Sequence, residues 1–163
     1  MTKDVVPEGF SLSMALVDAI PVVFFGLDAL LLSKPLQSPL FFTGAVLCLV
    51  AGLLKVLWKF IVVLQKKNVW PLFMQMRIVM PTGFLMMILG FVLRVPQLDM
   101  ARVGKALVAF PSAIFYVLWV LGMTGMIVAA KKLDSSDPKA NWIEQGINGC
   151  AQVALFLGIL LGL

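Results

Sequence analysis

Residues 39–64 read PLFFTGAVLCLVAGLLKVLWKFIVVL, twenty-six positions of which only Lys55 and Lys59 are charged. As a helix this run reaches about 39 Å at ~1.5 Å per residue, enough to cross the ~30 Å hydrocarbon core of a bilayer. Four further runs, at 11–32, 71–93, 107–130 and 142–163, are of comparable length and apolarity. The segments between them are polar or basic and carry breakers: Ser33-Lys34-Pro35, Gln65-Lys66-Lys67-Asn68, 94–106 and 131–141.

Composition agrees. Of 163 residues, 61% are hydrophobic and 13% charged, against about 45–50% and ~25% in soluble domains. A soluble chain of this size cannot hide that much apolar surface, whereas lipid solvates it without cost. The expected fold class is therefore all-α, a polytopic transmembrane bundle of about five helices forming a single integral membrane domain over residues 1–163. Residues 1–10 carry Lys3, Asp4 and Glu8 and lack the basic n-region of a signal peptide, so the first helix is expected to be retained. Asp137 and Pro138 read as the N-cap and first residue of the fifth helix. Leu98, Ala101 and Val103, alternating with Arg102 and Lys105, suggest a short interfacial helix between the third and fourth spans.

Several function classes are disfavoured. The net charge of +5 comes from pairs at the ends of apolar runs, without interleaved aromatics, so no nucleic-acid partner is expected. Cys48 and Cys150 form no metal or redox spacing, and there is no histidine, which takes away the commonest metal ligand and general base. No metal or other cofactor is expected. No Ser–His pair, carboxylate dyad or glycine-rich phosphate loop is present, and the expectation is a non-enzymatic protein.

The strongest functional signal is charge within the spans, because each such group costs about 2.5–3.5 kcal/mol at the bilayer centre and normally faces the bundle interior. Asp18, Asp28, Lys55, Lys59, Arg77 and Glu144 are of this kind. With alternating helix direction, all but Asp28 fall in the N-terminal half of the membrane. On the second helix Gly44, Cys48, Gly52, Lys55 and Lys59 share a stripe; on the fifth, Gln145, Asn148 and Gln152 do so, with Glu144 beside them. The candidate ligand-binding set is Asp18, Lys55, Lys59, Arg77, Tyr116, Glu144 and Asn148, lining a polar cavity with Tyr116 and Trp119 as its floor. Three bases against two acids suit an anionic or zwitterionic small molecule or a lipid headgroup. The plainer alternative pairs these charges with one another and lets Lys59 and Arg77 snorkel. Asp28 is expected to pair locally with Lys34.

Gly158 and Gly162 form a GxxxG motif, the expected seam for a homodimer or a membrane-complex partner. Pro21 and Phe24, with Lys34 thirteen residues beyond the proline, are echoed by Pro81, Phe84 and Arg94, a weak parallel-repeat pattern for helices one to four. Connection charges (Lys3, Lys66, Lys67, Lys131, Lys132 and Lys139 against Lys34, Arg94, Arg102 and Lys105) favour a cytoplasmic N-terminus and an external C-terminus, and the short loops and N-terminal charges lean toward a bacterial inner membrane. In length and helix number the chain resembles the bacterial translocator-protein family of five-helix binding proteins, and Lys34-Pro35 with Ser38-Pro39 resembles one of its helix connections. The tryptophan pattern of that family is not matched, and no residue role follows from it. Two readings remain open: a small-molecule binder or transporter, and a non-catalytic structural or assembly subunit.

Overall fold

The computed structural model describes residues 9, 11–133 and 138–162. It is all-helical, with no strand among the described residues, and five of its helical stretches are long and apolar enough to cross a membrane. Helix α1 spans Leu12–Leu36. The Ser11 hydroxyl caps it by accepting from the Met14 N–H at 3.2 Å, satisfying one donor that a helix start leaves open. The helix runs through Lys34 and Pro35, four residues beyond the expected end. Pro35 sits in the last turn, and closure comes only at Gln37, whose φ of 45° is left-handed. Ser38 at once caps α2 (Pro39–Gln65), with Pro39 in its first turn. Two residues therefore separate α1 from α2, which forces an antiparallel hairpin.

The third span is made of α3 (Trp70–Met74) and α4 (Met76–Val92), divided at Gln75. Gln75 keeps helical backbone angles, and its side-chain amide donates to the Ala51 and Leu72 carbonyls at 3.0 and 3.2 Å. A 3-10 turn at Val95–Gln97 leads to α5 (Met100–Val108), which Asp99 caps by accepting from the Ala101 and Arg102 N–H groups. This is the short helix expected between the third and fourth spans. It takes Leu107 and Val108 out of the fourth span, which begins instead as α6, Ser112–Lys132. Helix α7 covers Pro138–Gly162; the expected Asp137 cap lies outside the described residues.

The spans form a row rather than a closed bundle. Its order is α4, α2, α1, α7, α6, so α1 stands at the centre and α7 packs directly against it. Small residues set the spacing at each seam, as packing inside lipid favours. Between α2 and α4, a Cβ added at Gly44 would stand 2.5 Å from the Gly83 carbonyl oxygen, and one at Gly83 would stand 2.6 Å from Cys48 Sγ. Gly52, read from the sequence as part of the same stripe, instead admits Val22 of α1. Between α6 and α7, Gly122 admits Ala151 and Gly158 admits the Tyr116 ring. The GxxxG motif is thus covered from within: Gly158 and Gly162 face Tyr116 and Ala106 of the same chain, not an open seam. The repeat pattern has no counterpart in the packing either. Helices α1 and α2 are neighbours, while α4 and α6 occupy opposite ends of the row.

Candidate functional site

Asp18 lies six residues into α1 and Lys59 six residues before the end of α2, so in an antiparallel pair they meet at one depth, about 9 Å from the helix ends at ~1.5 Å per residue. Lys59 Nζ stands 3.0 Å from Asp18 Oδ2, with side chains 2% and 4% exposed. The same ammonium donates to Asn141 Oδ1 on α7 at 3.3 Å. One lysine thereby ties the three central spans together. A buried charge persists only where it is compensated: Lys59 is both paired and hydrogen-bonded, while Asp18 Oδ2 is held by the ion pair alone.

Lys55, one turn nearer the middle of α2, and Glu144, on α7, are half-buried and both act electrostatically on Lys59. Asn148 is half-buried on α7, about 10 Å farther along the helix than Asn141. Lys55 and Glu144, with Asp18 and Lys59, are the part of the candidate set that the fold gathers toward one region.

Two members lie elsewhere. Arg77 is exposed on α4, its guanidinium 5.7 Å from the Phe73 ring centroid. Phe73 in turn packs on Trp58 and Trp70 with centroids 5.0 and 5.4 Å away. Arg77 therefore belongs to an aromatic cluster at the α3–α4 junction, because its position on α4 turns it outward. Tyr116 lies against Gly158 and Gly162, about 25 Å along α7 from Asn141 at ~1.5 Å per residue. Since α6 runs antiparallel beside α7, a residue near its start is fixed at the opposite end of the row from Asn141, and Tyr116 forms no floor to the charged cluster.

Asn141 was outside the candidate set because it sits at the polar end of a connection in the sequence. The signal was present nevertheless: Asn141, Gln145, Asn148 and Gln152 recur at i, i+4, i+7 and i+11, one face of a helix. Asp28 also departs from expectation. It is 3% exposed and neither carboxylate oxygen has a hydrogen-bond partner among the described residues, while Lys34 is exposed.

A groove of about 490 Å³ lies between α1, α7 and α6, walled by Val17, Ile20, Phe115, Leu118 and Val153 over a floor that includes Gly149. It is apolar except for Gln145 at one end, and none of the candidate site residues lines it. No protein-family model, curated protein or solved structure matches the chain.

Proposed function

We propose that the chain is a small integral membrane protein that binds, and by exchange carries, a small zwitterionic or anionic molecule at the Asp18–Lys59 cluster. The observation that carries this reading is the buried ion pair itself, Lys59 Nζ to Asp18 Oδ2 at 3.0 Å, with Lys55 and Glu144 close by. Ionisable groups inside spans are expensive and default to functional use. With Arg77 outside the cluster, two cations (Lys55, Lys59) face two anions (Asp18, Glu144), a balance that favours a zwitterion over a simple anion. Asp18 and Lys59 are closed off by burial, so the half-buried Lys55 and Glu144 are the groups that receive the ligand's carboxylate or phosphate and its ammonium, against the fixed pair behind them.

The test is thermal unfolding of the detergent-purified chain against glycine, taurine, phosphocholine, acetate and inorganic phosphate, for wild type and Lys55→Met. Lys55 is chosen because it leaves the Asp18–Lys59 pair intact. A bound ligand stabilises by about 2.7 kcal/mol at 100 times its dissociation constant. The expected result is a zwitterion that raises the wild-type midpoint and loses its effect in Lys55→Met. An effect that survives in Lys55→Met removes the site from the cluster.

A second reading, a non-catalytic assembly subunit, draws on the open row. The terminal helices α4 and α6 expose Ile78, Leu85, Ile88, Val117 and Leu121 on flanks that the chain itself does not cover. It predicts that a membrane partner co-purifies in fixed ratio when ligands have no effect. The basic excess in the connections flanking the α2 C-terminus and the α6 C-terminus supports a cytoplasmic N-terminus, and the short connections favour a bacterial inner membrane; labelling of single cysteines from each side of intact cells checks the orientation.

A further inference from the structure

Asp28 stands eight residues before the end of α1, about 12 Å below it at ~1.5 Å per residue, in the half of the membrane away from Lys59. It is 3% exposed, and among the described residues neither of its carboxylate oxygens has a hydrogen-bond partner. Its level in the row follows from its neighbours. Gly26 faces Leu49 of α2, Phe24 packs edge-on against Phe156 of α7, and Phe25 against Phe84 of α4. The stretches beside Asp28 are therefore 40–48 of α2, 157–162 of α7 and 85–92 of α4. None of them holds a charged residue. The titratable group among them is the Cys48 thiol, which donates to the Met80 carbonyl at 3.5 Å. Tyr116 reaches α7 from α6, on the Gly158 face. On α1 itself the nearest charges are Asp18, held by Lys59, and Lys34, exposed.

A bare carboxylate in such a place is among the costliest groups a membrane protein can bury, so a cation must neutralise it. Three kinds of cation can be compared. A hard metal ion asks for about six oxygen ligands, Asp28 offers two, and no group of three His, Cys, Asp or Glu side chains able to hold a metal exists among the described residues. An organic ammonium asks for room, and Asp28 is neither on the wall of the 490 Å³ groove nor open to solvent. A proton asks for neither further ligands nor volume.

We propose that Asp28 is an intramembrane proton-binding site. Uptake converts its carboxylate to the carboxylic acid, breaking no other bond, and release returns the proton to the aqueous phase at the Leu36 end of α1. The central helix of the row then carries two carboxylates of different kinds. Asp18 is neutralised by a lysine and Asp28 by a proton that can leave. This holds whether or not the Lys55 ligand exists, since the two groups lie about 15 Å apart along α1 at ~1.5 Å per residue and are read by different measurements.

The experiment is infrared spectroscopy of the full chain in lipid nanodiscs at neutral pH. The expected result is a protonated-carboxyl carbonyl band in wild type that persists in Asp18→Asn, disappears in Asp28→Asn and shifts down when D2O replaces H2O. Asp28→Asn, a neutral and nearly isosteric change, is expected to keep or raise the thermal midpoint. A wild-type spectrum without the band overturns the proposal, as does a band retained in Asp28→Asn. A marked fall in the Asp28→Asn midpoint overturns it too, because it reveals an ionised group held by a partner. A band that stays unshifted after prolonged D2O exchange overturns the release step.

Discussion

Replacing Lys59 by Met tests the centre of the fold most directly. The substitution keeps side-chain length and removes the charge, leaving Asp18, 3% exposed, without its cation 3.0 Å away. Removing one partner of a buried pair typically costs about 3–5 kcal/mol, because the survivor stays desolvated and uncompensated. The reverse change, Asp18→Leu, leaves Lys59 with the Asn141 amide oxygen at 3.3 Å, so its expected cost is toward the lower end of that range. The double variant Asp18→Leu/Lys59→Met removes both charges and is expected to be close to wild type, or more stable by up to about 4 kcal/mol, since apolar replacements escape the desolvation penalty. The four proteins form a double-mutant cycle, read by reversible unfolding in mixed detergent micelles. The reasoning fails if either single variant costs under about 1 kcal/mol, the value of a solvated surface pair. It also fails if the double variant costs the sum of the two singles.

Other outcomes follow from the seams and caps. Asn141→Ala removes an acceptor from a buried ammonium and is expected to cost about 1.5–3 kcal/mol while leaving the Asp18 contact in place; the same unfolding assay reads it. Gly83→Leu drives a side chain into Cys48 Sγ and the Gly44 carbonyl, 2.6 and 2.7 Å from where a Cβ would sit. It is expected to cost at least ~1–3 kcal/mol and to loosen α4 selectively, which amide exchange along 76–92 would show. Gly104→Ala, with nothing within 4 Å of the added carbon, is expected to raise stability by up to about 1 kcal/mol through helix propensity alone, and no change in α5 helicity or midpoint would contradict this.

How much of this was legible beforehand depends on whether a feature is local. Span positions are local, so 39–64 became Pro39–Gln65 almost unchanged. The end of α1 was misplaced because a proline in a last helical turn is tolerated, and Gln37 rather than Pro35 closes the helix. The start of α6 was misplaced because Leu107 and Val108 are apolar enough to read as span although they belong to α5. The shared depth of Asp18, Lys59 and Glu144 needed only alternating helix direction, and the same alternation, carried through α6, would have moved Tyr116 to the far side. Arg77 was misassigned for another reason: depth says nothing about which face of α4 a residue takes. The order of the row was not legible at all, since nothing local chooses between α2 and α6 as a neighbour for α4.

The row order bears on how the protein is made. Helix α1 leaves the ribosome ahead of the helices it packs against, with two carboxylates in an apolar stretch, and the cation for Asp18 arrives only with the end of α2. The amide that completes Lys59 comes 82 residues later still, on the last span. The centre of the row is thus completed only when α7 packs on α1, and until then α1 has one bare flank. A ribosome stalled before α7 should leave the nascent chain held beside the insertion machinery, and truncation within α7 should mark the protein for membrane proteolysis rather than yield a stable four-helix fragment.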